Sequence, residues 1–397
     1  MQGVTVSSGP PILRENGMAY EESRLIDLLV AQIRPEAEAV LVRVPVIDPR
    51  TPDTSDVDVA AFTDIEDLRP ARLHVRAGAD TPATMVDITW LPSAWLADSE
   101  ALAVRGLIPH RVLTSELVWS RSPDVAERCR RVAALFYQPD IHRRRLSGFF
   151  EMGGLTVREI GITWNFPALA LFWLHMAFAA TLSAGVDGSR RLCPNLYTRP
   201  FDYLRELART AGQDLVAMWT SALRVEADFA ELTAAVRRIH AVIVSRFSEP
   251  SWPDAMRMGT RVEYRYWVHP GELEWRVSAA SEMFRRGDAA AAIHYLRFYA
   301  YALARAPMVY ARALEGRNVS YLRPERAVRP DLERLCPDIL DDIDLALSGS
   351  LSPDRTLVEQ ALATLHVFKA RIVETLHASG APVPELEPWI PHRSPPA

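Results

Sequence analysis

Three aspartates carry the chemistry that the residue types in this chain offer. Asp56 and Asp58 stand one residue apart in Ser55-Asp56-Val57-Asp58-Val59, and Asp87 stands in Met85-Val86-Asp87-Ile88-Thr89-Trp90. Both stretches read as strands, and strand alternation sends Asp56 and Asp58 to one face while Val57 and Val59 turn to a core. Carboxylates drawn from neighbouring strands are hard oxygen ligands, suited to holding magnesium against nucleotide phosphates. The expectation is a metal and nucleotide site with Asp56, Asp58 and Asp87 as metal ligands and catalytic groups.

Positioning these side chains requires a small sheet. Apolar residues at helical spacing (Tyr20, Leu25, Ile26, Leu28, Leu29, Ile33) predict a helix from about Met18 to Ala31. Strands are expected over Ala39 to Val46, Val57 to Phe62 and Met85 to Leu91, with a shorter one at Leu73-His74-Val75. A Pro- and Asp-rich loop leads to Asp53, a helix follows from Pro92, and Arg111 to Trp119 contains another strand-like run. This small α/β head ends near Ser122-Pro123-Asp124, where helical periodicity takes over.

Beyond it, helices are predicted over 124–136, 139–151, 166–184, 200–210, 212–222, 225–246, 273–286, 288–306, 308–315, 329–346 and 353–379. Arg261 to Val268 alternates as a short strand or an extended crossing segment, and Arg285-Arg286-Gly287-Asp288 reads as a helix stop followed by an N-cap. Ser248 to Pro253 divides the helical part. The expected organisation is a head over 1–122, a helical domain over 123–250 and a second helical subdomain over 251–397 with a proline-rich tail from Ala381. The fold class is α+β: a small α/β head and a large, mainly α-helical C-terminal region.

Composition narrows the partners. A net charge of -5 over 397 residues gives no reason to expect nucleic acid, and His142-Arg143-Arg144-Arg145 reads as a solvated helix face. Lys369 is the only lysine, so lysine chemistry is excluded elsewhere. Cys129, Cys193 and Cys336 have neither zinc-site spacing nor an even count, and the N-terminal Met1-Gln2-Gly3-Val4 lacks signal-peptide features; the cytoplasm is the expected location. Ile160 to Leu182 is apolar enough to span a membrane, but Asn165, Pro167 and His175 interrupt it and no basic or aromatic anchors flank it. It reads as a buried helix bracketed by turns at Met152-Gly153-Gly154 and Gly185-Val186-Asp187-Gly188, with His175 a hydrogen-bonded core histidine.

The run Ser55-Asp56-Val57-Asp58-Val59, a third acid at Asp87 and the order of elements resemble the polymerase-β-like nucleotidyltransferase superfamily, in its small-molecule type with a helical C-terminal region. The resemblance covers about residues 20 to 122, and the helical part matches in architecture alone. It implies a magnesium-dependent transfer of a nucleoside monophosphate from a nucleoside triphosphate to a small-molecule acceptor, with in-line attack on the α-phosphorus and loss of pyrophosphate. Asp56 and Asp58 take the paired-acid positions, and Asp87 takes the third. The family's Gly-Ser before the paired acids, whose backbone and hydroxyl hold phosphate, is absent from residues 35–60. Ser55, Arg43 and Arg50 are the nearest groups able to contact phosphate in its place, although Pro45 and Pro49 oppose the usual helix-opening loop.

Two alternatives follow from that departure: a repurposed or degenerate nucleotidyltransferase fold with other small-molecule chemistry or ligand binding, and a regulatory or toxin–antitoxin-like partner protein. No P-loop, dinucleotide-binding fingerprint or nucleophile elbow is present. Glu151 and Glu159 are candidate bases toward an acceptor, with surface glutamate as the favoured reading. Tyr264, Tyr266 and Trp267 alternate with arginines and read as a packed amphipathic segment in preference to a cleft lining.

Overall fold

The structure, a computed structural model, describes residues 20–43, 57–65, 71–75, 84–160, 163, 165–194, 196–197, 199–212, 214–223, 228–247, 265–316, 328–350 and 352–391. Among these, five strands form one mixed sheet: β1 (Ala39–Arg43), β2 (Val57–Thr63), β3 (Ala71–Val75), β4 (Thr84–Pro92) and β5 (Glu116–Ser120), in the order β3-β4-β2-β1-β5. Only β2 and β4 run parallel; the other neighbours are antiparallel.

Period-2 alternation sorts the two faces. Val40, Val42, Val57, Val59, Val86 and Ile88 pack against Leu29 and Ile33 of α1 (Tyr20–Ile33). Ala39, Leu41, Ala60, Phe62 and Leu91 face the opposite way, onto α2 (Ala94–Ala97), α3 (Ser99–Ala103), α4 (Ile108–Leu113) and α5 (Pro123–Leu135). Parity places Arg43, Asp58, Asp87 and Thr89 on this second face.

Among the described residues there follow α6 (Pro139–Ile160), α7 (Pro167–Gly188), α8 (Pro200–Ala211), α9 (Asp214–Leu223), α10 (Phe229–Arg246), α11 (Pro270–Arg285), α12 (Ala289–Leu314), α13 (Val328–Leu335), α14 (Leu340–Ser348) and α15 (Arg355–Ala378). The architecture is α+β. Ile141 of α6 joins the core under the sheet while Leu146 and Phe149 join the helical core, so this helix ties the head to the rest. The helical core is one cluster running from Leu146 to Trp389. The apolar α7 is the one described helix long and apolar enough to cross a membrane, and it is almost wholly buried among the other helices.

Several expected breaks are absent. Gly153 and Gly154 lie inside α6 because Trp389 packs on them: a Cβ on Gly153 would come within 2.5 Å of its ring and one on Gly154 within 2.9 Å. Gly185 and Gly188 lie inside α7 for the same reason, against Leu207, Ile372 and Leu376. The two helices expected on either side of Pro307 are one, with the proline buried within α12. A proline inside a helix costs about 3 kcal/mol through the missing hydrogen bond and the ring's clash with the preceding turn, and the buried flank of α12 offsets it. The single helix expected over 329–346 is broken at Pro337, where a 3-10 turn separates α13 from α14. Residues 265–268 form a helical turn instead of a strand. The proline-rich segment after Ala381 packs on the helical core through Trp389, whose ring also takes the Lys369 ammonium at 4.2 Å.

Candidate functional site

Asp58 and Asp87 are register partners on adjacent parallel strands, so the two carboxylates stand side by side on one face. Neighbouring strands lie about 4.8 Å apart, a spacing at which two carboxylates share one environment. Arg43, at the end of β1, is the register partner of Asp58 on its other side, and its Nη1 lies 3.6 Å from Asp58 Oδ2. The Asp58 side chain keeps 41% of its surface exposed and Arg43 27%, so the pair faces an open part of the molecule.

Two further groups reach this place. Arg111 of α4 donates from Nη1 to Thr89 Oγ1 (3.0 Å), two residues beyond Asp87 on the same face, and from Nε to the Pro194 carbonyl (3.3 Å). Burial lowers the proton affinity of Arg111, while the charges of Asp58 and Asp87 raise it and Arg43 lowers it. From the helical region, the Tyr266 hydroxyl donates to Asp87 Oδ2 at 3.5 Å. That hydroxyl in turn accepts from Arg276 Nη2 (3.3 Å), and Arg276 Nε is bonded to the buried Glu272 (2.5 Å). Arg276 lies over the rings of Trp275 (4.8 Å) and Tyr295 (4.9 Å), which fixes its guanidinium against the helical core.

Of the residues expected at the site, the structure thus gathers Arg43, Asp58 and Asp87; Arg50, Ser55 and Asp56 lie outside the described residues, as do Pro45 and Pro49. Among the described residues no group of three or more His, Cys, Asp or Glu side chains could hold a metal ion. The two register-paired carboxylates nevertheless match magnesium, which takes one or two carboxylates and completes its shell with phosphate and water oxygens. Glu151 is exposed and accepts a hydrogen bond from the Ser147 hydroxyl (2.8 Å). Tyr266, which alternation assigned to packing, contacts Asp87. Arg111 carries no motif; its placement depends on α4 lying over the sheet, which no local pattern announces.

Behind the site, a fully buried charge cluster joins the head to the helical region. Arg145 of α6 donates from Nη2 and Nε to Asp187 of α7 (2.9 and 3.1 Å) and from Nη1 to the carbonyls of Ala103 and Phe136 (both 2.9 Å). His110 Nδ1 accepts from the Cys193 backbone N–H (3.2 Å), so the neutral ring carries its proton on Nε2, 3.5 Å from Asp187 Oδ1. His142 Nε2 lies 3.4 Å from Asp187 Oδ2. Burial brings His110 down to about 4. Asp187 is held below its usual range: burial opposes ionisation, and the bonds from His142 and Arg145 together with the Arg145 charge outweigh it. In the expected solvated run 142–145, only Arg143 and Arg144 are exposed; His142 and Arg145, three residues apart on one helix face, turn inward to Asp187.

No family model matches the chain, and no curated protein sequence matches it. Among solved structures, the chain is similar to a nucleotidyltransferase-like protein from Exiguobacterium sibiricum 255-15, at 13% identity over 68% of this chain and 79% of that one, with a TM-score of 0.28.

Proposed function

We propose that this chain transfers a nucleoside monophosphate from a nucleoside triphosphate to a small-molecule acceptor, at the site built on Asp58 and Asp87. The observation that carries the reading is the register pairing of Asp58 with Asp87 on parallel strands, on the face that also presents Arg43 and Thr89, the latter bonded to Arg111 of α4. Asp58, Asp87 and the neighbouring Asp56 are the residues that would hold magnesium. When bound, that ion supplies charge neutralisation at the attacking and leaving oxygens. Asp87, which the Tyr266 hydroxyl contacts at 3.5 Å, would accept a proton from an acceptor hydroxyl. Arg43 stands beside Asp58, where a guanidinium matches phosphate oxygens. The net charge of -5 favours a small acceptor over a polynucleotide.

The test is pyrophosphate release from each of the four nucleoside triphosphates with magnesium or manganese and a panel of hydroxyl- and phosphate-bearing small molecules. Release by wild type, lost in Asp58→Asn and Asp87→Asn, is the expected result. Its absence under every combination would count against the reading.

One observation favours a second reading. Arg43 and Arg111 bring two positive charges to two carboxylates, an arrangement that neutralises the acids without a metal. On that reading the site binds a ligand, or does other chemistry, in the absence of divalent ions, and binding would survive a chelator.

A further inference from the structure

A triphosphate needs donors or cations at its phosphates, and residues 35–60 contain no Gly-Ser to supply them. Arg111 reaches the sheet face that carries the aspartates. The helix α4 covers the sheet face that carries both aspartates, and Arg111 reaches Thr89 on that face. Its other bond runs to the Pro194 carbonyl, and the adjacent His110 takes the Cys193 N–H, so the 193–194 turn grips α4 at two consecutive residues. Both partners of the guanidinium are neutral oxygens. Arg111 forms no ion pair with a described carboxylate, and its Nη2 carries no hydrogen bond to a described residue.

A partly buried arginine held by neutral acceptors is costly to desolvate, and a direct carboxylate partner would ordinarily compensate it. Here the acids on the sheet face that Arg111 reaches are Asp87, two residues from its partner Thr89, and Asp58, the register partner of Asp87. A guanidinium fixed in orientation by Thr89 and the Pro194 carbonyl, with Nη2 unbonded to any described residue, suits a phosphate chain whose counterion sits on the carboxylates of the same sheet face.

We propose that Arg111 is the phosphate-binding residue of this site, taking the triphosphate oxygens in the role that a Gly-Ser turn would otherwise fill. The assignment rests on the nucleotide reading above. It makes Thr89 and the Pro194 carbonyl positioning groups, and it makes the junction between head and helical region part of the binding site.

The experiment is calorimetric titration of the full chain with inorganic tripolyphosphate and with each nucleoside triphosphate, in magnesium. Arg111→Gln should weaken both probes at least about tenfold, because a charge-assisted hydrogen bond is lost. Arg111→Lys should recover part of the loss. Thr89→Val, which keeps the charge and removes the Nη1 acceptor, should weaken both probes several-fold with an unchanged melting temperature. This variant carries the test if Arg111→Gln does not fold. Undiminished binding by a folded Arg111→Gln, or by Thr89→Val, overturns the assignment while leaving the nucleotide reading standing. A wild type that binds no triphosphate overturns the nucleotide reading, and the assignment with it.

Discussion

At the scale of single residues, the central fact is that two acids 29 positions apart in sequence become nearest neighbours across a parallel pair. Alternation alone placed Asp58 opposite Val57 and Val59, because a strand has two faces and the valines claim the buried one. It could not place Arg111 or Tyr266. These arrive through α4 and through the turn ahead of α11, and no periodicity in either segment refers to the sheet. The Arg43–Asp58 contact supplies a prediction. If Arg43 competes with metal for Asp58 and then serves phosphate, Arg43→Met should tighten binding of free manganese by a few-fold and weaken binding of the nucleoside triphosphate. Titration of manganese by electron paramagnetic resonance, alongside nucleotide calorimetry, checks both. A variant that changes neither removes Arg43 from the site.

Elements were legible where apolar spacing is dense. All five strands and most of the helices fall within a few residues of expectation, since buried alternation and 3.6-residue stripes leave few other folds for those segments. Glycine and proline misled for a shared physical reason. In α6 and α7 the glycines admit a close neighbour and do not end the helix, and in α12 burial offsets the penalty of Pro307. Trp389, more than 200 residues from the glycines it covers, gives no local sign of this. Gly153→Ala should therefore destabilise by about 1–2 kcal/mol through overpacking, although glycine to alanine in a helix ordinarily gains about 1 kcal/mol. In a Trp389→Leu background the same change should become neutral or favourable. Urea unfolding of the four chains of this cycle measures it, and additive effects would show that Trp389 does not set the tolerance.

The whole molecule is joined at Asp187, where α6, α7 and α4 meet in a buried cluster. Expected in a turn, Asp187 instead lies in the last turn of a buried helix, where it is the counterion of Arg145. Asp187→Asn leaves that guanidinium without its charge partner and should cost about 3–5 kcal/mol, read as a drop in the urea midpoint. The histidines add a pH dependence. His110 and His294 are each brought down to about 4 by burial, from an ordinary 6.5. The unfolded chain thus binds more protons between those values, and stability falls as pH drops through that window. The loss should be about 2 kcal/mol per histidine between about pH 7.5 and about pH 5. Urea midpoints at the two pH values, for wild type and His294→Gln, check the contribution of one of them; equal slopes would show that His294 is not a source.

The most direct measurement of the central claim is calorimetric titration of ATP, CTP, GTP and UTP with magnesium into wild type, Asp58→Asn and Asp87→Asn. The account predicts that at least one nucleotide binds wild type, that chelation abolishes the binding, and that each substitution weakens it severely. Binding that survives both substitutions and a chelator would contradict it, as would the absence of binding to wild type.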